Sequence, residues 1–188
     1  MLRVAINGFG RIGRAVFRIN QDRQVFQVVA INDIDPNIRN HSYLMQFDST
    51  YGRFPGTIRL DETNSFIYVN EQPIRFYSNP DISKVPWDNE NVDVIIDSSG
   101  SRENLMVSHE IIGKGLVSNI VVTNAPKTTI DRTVVFGVNE SDFNHQTDKV
   151  LASSICDVNA LAPVLKILDE LYGIREGFIT ILHPWLSY

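Results

Sequence analysis

Apolar residues along this chain recur in short runs of strand length, and between several of these runs the spacing changes to that of an amphipathic helix. Leu2, Val4, Ala5 and Ile6 make the first run, and Val28 to Ile31 the second. With their flanks, the runs predict strands over Arg3 to Asn7, Gln27 to Asp33, Val92 to Ile96, Asn119 to Thr123 and Thr133 to Gly137. Ile12, Val16, Phe17 and Ile19 mark a helix after the first strand. Leu105, Met106, Ile111 and Ile112 mark the buried side of another over Glu103 to Lys114, where His109 is read as structural or solvated. This alternation belongs to the α/β class with a mostly parallel sheet. From Ile58 to Tyr77 the pattern shortens to Phe66-Ile67-Tyr68-Val69 and Ile74-Arg75-Phe76-Tyr77 around Asn70-Glu71-Gln72-Pro73, which predicts a small antiparallel excursion off the main sheet. Neither an internal repeat nor a low-complexity linker interrupts the chain.

The turn after the first strand reads Asn7-Gly8-Phe9-Gly10-Arg11-Ile12-Gly13-Arg14. Glycines suit a tight turn, close approach of backbone to a pyrophosphate, and a helix packed against its strand. Asn7, Gly8, Gly10, Arg11, Ile12 and Gly13 are therefore candidate cofactor contacts, with the anion at a helix N-terminus. The second strand ends in Asn32-Asp33, about twenty residues after the last glycine, which is the context that makes this loop a dinucleotide fingerprint. Asp33 is placed to bind the adenosine ribose hydroxyls, and a carboxylate there repels a 2′-phosphate, favouring NAD over NADP. The fold expected is Rossmann-like and doubly wound. Such a sheet binds its ligand outside the carboxyl edge, where Asp97-Ser98-Ser99-Gly100 and Thr123-Asn124-Ala125-Pro126 supply small polar residues for a ribose or the nicotinamide.

Composition narrows the class without choosing the function. At 188 residues the chain has room for one full domain and a remnant, and 43% hydrophobic with 21% charged residues describes an ordinary globular protein. A net charge of −5 without a basic cluster argues against nucleic acid. No apolar run approaches membrane-spanning length, and Met1-Leu2-Arg3-Val4 leads into a strand and not a signal peptide. The one cysteine forms no intrachain disulfide and no Cys-rich metal site, which makes the cytoplasm the expected compartment.

That cysteine, Cys156, stands at the head of a helical pattern carrying Val158, Leu161, Leu165, Leu168 and Leu171 toward a C-terminal cap at Gly173. Backbone N–H groups at a helix start favour a thiolate. His183 lies downstream as a proton acceptor. A reactive thiol, an acceptor and a hydride carrier together point to aldehyde oxidation.

Taken in order, these residues resemble the phosphorylating glyceraldehyde-3-phosphate dehydrogenases and the closely similar erythrose-4-phosphate dehydrogenases. The resemblance runs through Asn7 to Arg14, Ala30-Ile31-Asn32-Asp33, Phe47-Asp48-Ser49-Thr50, Gly52-Arg53-Phe54, Trp87, Ser98-Ser99-Gly100, Ala125-Pro126, Gly137-Val138-Asn139, and Asn159 with Leu161-Ala162-Pro163. It implies NAD as cofactor, Cys156 as nucleophile and His183 as its base, with a hemithioacetal and a thioester formed on the thiol. It also implies a small-molecule aldehyde substrate and a homotetramer. The division expected is a dinucleotide-binding domain over 1–154 and the beginning of an α+β catalytic domain over 155–188, whose first strand is Gly177 to His183. Family members continue for roughly another domain, so the resemblance marks this chain as a fragment.

Departures cluster at the thiol. Where the family has a serine before the nucleophile and two threonines after it, this chain has Ile155, Asp157 and Val158. A carboxylate there repels an anionic substrate, while an acid in a first helical turn also gains from the helix dipole. Asp157 is accordingly read either as a substrate-recognition residue or as a helix-capping acid, and the aldehyde need not be glyceraldehyde 3-phosphate. Asn79-Pro80 replace an arginine expected against the adenine, Tyr51 replaces a histidine, and Ala160 replaces a second cysteine. Two other functions stay open: an NAD-binding module or regulatory protein without phosphate chemistry, and a semialdehyde-type acyl-enzyme dehydrogenase.

Overall fold

Among the described residues nine strands join in one sheet, because their inward residues supply two apolar faces at once. The computed structural model describes residues 1–124, 126 and 130–182. In chain order the elements are β1 (Arg3–Asn7), α1 (Arg11–Arg23), β2 (Gln27–Asn32), α2 (Ile38–Gln46), β3 (Phe47–Asp48), β4 (Gly52–Arg53), β5 (Ile58–Asp61), β6 (Phe66–Val69) and β7 (Gln72–Tyr77). They continue with β8 (Val94–Asp97), α3 (Arg102–Met106), α4 (Ser108–Gly113), β9 (Asn119–Val122), β10 (Arg132–Thr133), β11 (Val150–Ala152) and α5 (Cys156–Tyr172). The sheet runs β10-β11-β9-β8-β1-β2-β7-β6-β5, and β3 and β4 form a separate two-stranded ladder. All pairings from β10 to β7 are parallel. The expected mostly parallel, Rossmann-like architecture is the one present.

One face packs Ile6, Val28 and Ile31 against Phe17 of α1 and Met45 of α2, together with Phe9, Ile67, Ile74 and Phe76. The other packs Ala5, Ala30, Ile95 and Ile120 against Leu105, Ile111 and Trp87. Adjacent residues such as Ala5 and Ile6 go to opposite faces, as the two-residue period of a strand requires. The β1–β2 register shifts between Val4 and Ala5, which lets Val29 and Ala30 both serve the second face. Helix α1 ends where Gln24 adopts φ 50° and donates its N–H to the Asn20 carbonyl at 2.7 Å. Asn37 opens α2, its side chain accepting from the Asn40 N–H at 3.0 Å.

Four expectations change. The segment from Ile58 to Tyr77 is antiparallel within itself but does not leave the main sheet, because β7 pairs parallel with β2 and its Ile74 and Phe76 join the core of β1 and β2. The single helix over Glu103 to Lys114 is two helices. Val107 sits at φ −94°, ψ 0°, and the Ser108 hydroxyl donates to the Asn104 carbonyl at 3.2 Å, competing for an acceptor the helix ladder uses. The strand over Thr133 to Gly137 pairs with β11 only at its start. Asn139 captures the rest, accepting from the Val135 N–H at 2.8 Å and donating to the Thr133 carbonyl at 3.0 Å. Finally, residues 177–182 form no strand among the described residues, and His183, the end of that expected strand, lies outside them.

Other readings hold. His109 is about half exposed, 3.5 Å from the Asp131 carboxylate. Gly173 closes α5 at φ +71°, with its N–H donated to the Asp169 carbonyl at 2.8 Å. No helix among the described residues is long and apolar enough to cross a membrane.

Trp87 is fully buried and donates its indole N–H to the Ile82 carbonyl at 2.9 Å. Trp87→Ala removes that volume and orphans the carbonyl, so a loss of about 3–5 kcal/mol is expected; an unchanged urea midpoint would contradict the packing described.

Candidate functional site

From β1 the chain steps to β2 on one side, while β8 returns on the other, so the strand order reverses between β1 and β8. An open parallel sheet has its crevice outside the carboxyl ends at such a reversal. A cleft of about 520 Å3 opens there, lined by Asn7, Gly8, Gly10, Asn32, Asp33, Ser98 and Ser99, together with Ile34, Asn79, Pro80, Ser101, Glu103 and Asn104.

The floor of the cleft is a chain of buried and partly buried hydrogen bonds across four strand ends. Asn79 donates its N–H to Asn32 Oδ1 at 2.9 Å, Asn32 Nδ2 donates to Asn7 Oδ1 at 2.7 Å, and Asn7 Nδ2 donates to Asp97 Oδ1 at 2.9 Å. The same Asp97 oxygen accepts from the Ser99 hydroxyl at 2.6 Å and the Ser99 N–H at 3.0 Å. Asn104 completes it, donating to Ser99 Oγ at 3.3 Å and accepting from the Ile82 N–H at 3.2 Å.

Above this floor two glycines are sterically required. Gly8 has φ +85°, and a Cβ there would lie 2.5 Å from the Ser99 nitrogen. A Cβ on Gly13 would strike the Gly8 carbonyl and stand 2.9 Å from Ser98 Oγ. The Ser98 hydroxyl already donates to that carbonyl at 2.6 Å, which ties the loop to the end of β8. Gly10 occupies the N-cap position of α1 with no side-chain cap, so the first N–H groups of a thirteen-residue helix point outward at the positive end of its dipole. These features fit a dinucleotide pyrophosphate.

Asp33 follows β2 beside the cleft. Its Oδ2 accepts from the Phe9 N–H at 2.6 Å and its Oδ1 from the Asp35 N–H at 3.0 Å, which fixes the carboxylate across the loop and leaves lone pairs on both oxygens. Asp35 in turn is held below the usual carboxylate range, first by the Asn37 N–H and then by the Asn40 amide.

The structure separates some residues that the sequence grouped. Arg11 and Ile12 line a neighbouring hollow with Tyr43, Asp48 and Tyr51 and do not line the cleft. The reason is helical: they are the first residues of α1, and its period turns them away from the strand ends. Arg14 donates from Nη1 to the Phe9 carbonyl at 3.0 Å, and burial pulls its guanidinium below the ordinary arginine value against the opposing pull of Asp48 and Asp33. Gly100 adopts φ +70° just past Ser99 and is outside the cleft lining. Thr123 and Asn124 follow β9; the Thr123 N–H donates to the Asp97 carbonyl at 3.0 Å, and neither residue lines the cleft. Ala125 lies outside the described residues.

Cys156 is the first residue of α5, exposed, after β11. Asn159 fastens the turn that presents it, donating from Nδ2 to the carbonyls of Ser153 at 2.8 Å and Ile155 at 2.9 Å. The thiol points at its neighbour, with Sγ 3.5 Å from Asp157 Oδ1. His183 lies outside the described residues, so its distance from the thiol is not part of this geometry. Along one sheet edge the order is Asp33, Gly8, Ser98, Thr123 and Cys156, at the ends of β2, β1, β8, β9 and β11. Four inter-strand steps put about 19 Å between strands β2 and β11 themselves.

Sequence reasoning missed Ile34, Ser101, Glu103 and Asn104 as lining residues. Ser101 carried a signal, since serine is a preferred residue just before a helix, and its hydroxyl does accept from the Asn104 N–H at 3.1 Å. No group of metal-ligating side chains gathers among the described residues.

A family model described as glyceraldehyde 3-phosphate dehydrogenase, NAD binding domain, matches residues 2–105. Glyceraldehyde-3-phosphate dehydrogenase 3 of Saccharomyces cerevisiae is 40% identical over 185 residues, which cover 97% of this chain and 53% of that protein. The glyceraldehyde-3-phosphate dehydrogenase of Thermotoga maritima is 37% identical over 189 residues, covering 100% of this chain and 55% of its own length. The chain spans about half the length of the curated relatives it matches.

Gly13→Ala drives a methyl group into the Gly8 carbonyl and spreads loop from helix. NADH binding, followed by fluorescence titration, is expected to weaken about tenfold or more, because the phosphates need that backbone in place.

Proposed function

The chain belongs to the glyceraldehyde 3-phosphate dehydrogenase family and carries its NAD-binding domain, and from that premise we propose that it works in NAD-dependent oxidation of a sugar-type aldehyde through a cysteine thioester. The observation that carries the reading is the order along the carboxyl edge, with the glycine cradle at the ends of β1 and β8 and Cys156 at the head of α5 on the same edge. Residues 1–154 act as the dinucleotide domain and 155–188 as the beginning of the catalytic one, and the working enzyme is a homotetramer.

In this reading Asp33 accepts the adenosine ribose hydroxyls, and the N–H groups at the start of α1 take the pyrophosphate. Asn7, Asn32, Ser98, Ser99 and Gly100 shape the wall beside the cofactor, Thr123 and Asn124 extend it toward the thiol, and Arg11 and Ile12 flank the loop from the neighbouring hollow. The Cys156 sulfur forms a bond to the aldehyde carbon, giving a hemithioacetal once the oxygen is protonated. NAD, when bound, supplies the acceptor for the hydride that leaves that carbon. His183 accepts the hydroxyl proton as the carbonyl reforms, which leaves a thioester on Cys156. Phosphate or water then adds to the thioester carbon, and the C–S bond breaks to return the thiolate.

Asp157 supports a divergent acyl acceptor or substrate. Its carboxylate stands beside the sulfur, where it repels both a thiolate and an incoming phosphate. The same contact favours a second reading, an NAD-binding module that has set phosphate chemistry aside. A stopped-flow burst of about one NADH per Cys156 from a panel of aldehydes, abolished in Cys156→Ala, supports the dehydrogenase. NADH binding without any burst supports the module. Asp157→Thr removes the repulsion, and iodoacetamide is expected to label Cys156 several-fold faster, on the order of threefold or more; an unchanged rate would mean that the carboxylate does not control the thiol.

A further inference from the structure

We infer that His41 is a positioning residue for Asp33, and that it thereby sets the preference of the cleft for NAD over its 2′-phosphorylated form. The inference rests on the reading of Asp33 as the ribose carboxylate. His41 lies on α2, outside the cleft lining, with its side chain 5% exposed. Its ring packs between Phe9 of the glycine loop and Phe76 of β7, with centroids 6.2 Å and 5.1 Å away. Nε2 lies 2.9 Å from the Asp35 carbonyl oxygen. A carbonyl only accepts, so Nε2 carries the proton, and the Nδ1 left on the other side is buried without a hydrogen-bond partner among the described residues. One proton of one buried ring thus has a single hydrogen-bonding task, to hold the Asp35 carbonyl.

That carbonyl belongs to the turn that aims Asp33. The Asp35 N–H donates to Asp33 Oδ1 at 3.0 Å, while the Asp35 carboxylate is tied to the start of α2 by the Asn37 N–H at 2.9 Å and Asn40 Nδ2 at 3.0 Å. His41 adds the contact that comes from beneath, and its Nε2 is also 3.9 Å from Asp33 Oδ1 and 3.9 Å from Asp35 Oδ2. The positive edge of the imidazole therefore faces both carboxylates across the turn. With the ring clamped between two aromatics, the turn has one resting place, and together with the Phe9 N–H on Oδ2 at 2.6 Å it gives the Asp33 carboxylate one direction. A carboxylate held in that direction accepts from ribose hydroxyls and repels a phosphate ester at the same spot; one that swings does neither well.

Replacement tests the proton apart from the volume. His41→Gln keeps an amide N–H where Nε2 stood, and His41→Leu fills the space without a donor. NADH and NADPH titrations on the 188-residue chain, with thermal midpoints measured alongside, give the readout. The native chain is expected to prefer NADH. In His41→Leu the NADH-to-NADPH affinity ratio should fall about fivefold, the size of one net hydrogen bond, whereas His41→Gln should keep it within about twofold. Should His41→Leu fail to fold, a folded His41→Gln that loses the ratio overturns the inference and one that keeps it supports it. A His41→Leu chain that binds both nucleotides more weakly by the same factor overturns it and leaves His41 a packing role, with the reading of Asp33 intact. A native chain without preference overturns both.

Discussion

Asn7, Asn32 and Asp97 lie at the carboxyl ends of three adjacent strands, at most 4% exposed, and each can stay there only while the other two are in place. A buried amide or carboxylate without its partner costs about 1–3 kcal/mol, and more when the group is charged. Their bonds satisfy one another in series, from the Asn79 backbone through two amides to Asp97 and on to Ser99. The series fixes β7, β2, β1 and β8 relative to each other at the one edge where a ligand has access. Everything placed above it inherits that register: the Gly8 carbonyl held by Ser98, the Phe9 N–H held by Asp33, and the open N-terminus of α1. The glycines follow from the same constraint, because a loop tied this closely to the end of β8 has no room for a Cβ at Gly8 or Gly13.

Local patterns were legible wherever one element decided its own fate. The glycine loop, the start of α1, Asp33 at the end of β2, and Gly173 as the cap of α5 were all readable because each rests on a spacing or a backbone preference within a few residues. What stayed hidden was decided by partners far along the chain. The stretch from Ile58 to Tyr77 has a hairpin's alternation, yet whether its last strand joins the main sheet depends on Ala30, Ile31 and Asn32 offering an edge. Thr133 to Gly137 has the apolar content of a strand, but the side chain of Asn139 takes its hydrogen bonds first. Val107 reads as helix interior until the Ser108 hydroxyl competes for a carbonyl.

The site shows the same division. Most residues that line the cleft by following a strand were found, Ile34 excepted, and those that reach it from a helix start, such as Ser101 and Asn104, were not. Arg11 and Ile12 differ from the glycines they adjoin in sequence, because the first turn of α1 places them in the hollow with Tyr43 and Tyr51 and not in the cleft lining. His41 is invisible to motif reasoning altogether, because its importance comes from a carbonyl six residues earlier and from two aromatic rings on other elements.

The two halves of the edge differ in what holds them. The nucleotide end is cemented by buried polar groups that tolerate no substitution without an orphaned partner. The thiol end sits at the head of α5, a helix with no buried residue among those described; Ile155 just before it and Val158 within it are exposed, and Asp157 is only partly covered. The contact between the Cys156 sulfur and Asp157 is exposed, so among the described residues a change at position 157 alters the charge beside the thiol without breaking a buried bond. The Asp157 carboxylate lies in the first turn of α5, where the positive end of the helix that carries it offsets part of the cost of a charge beside the thiol.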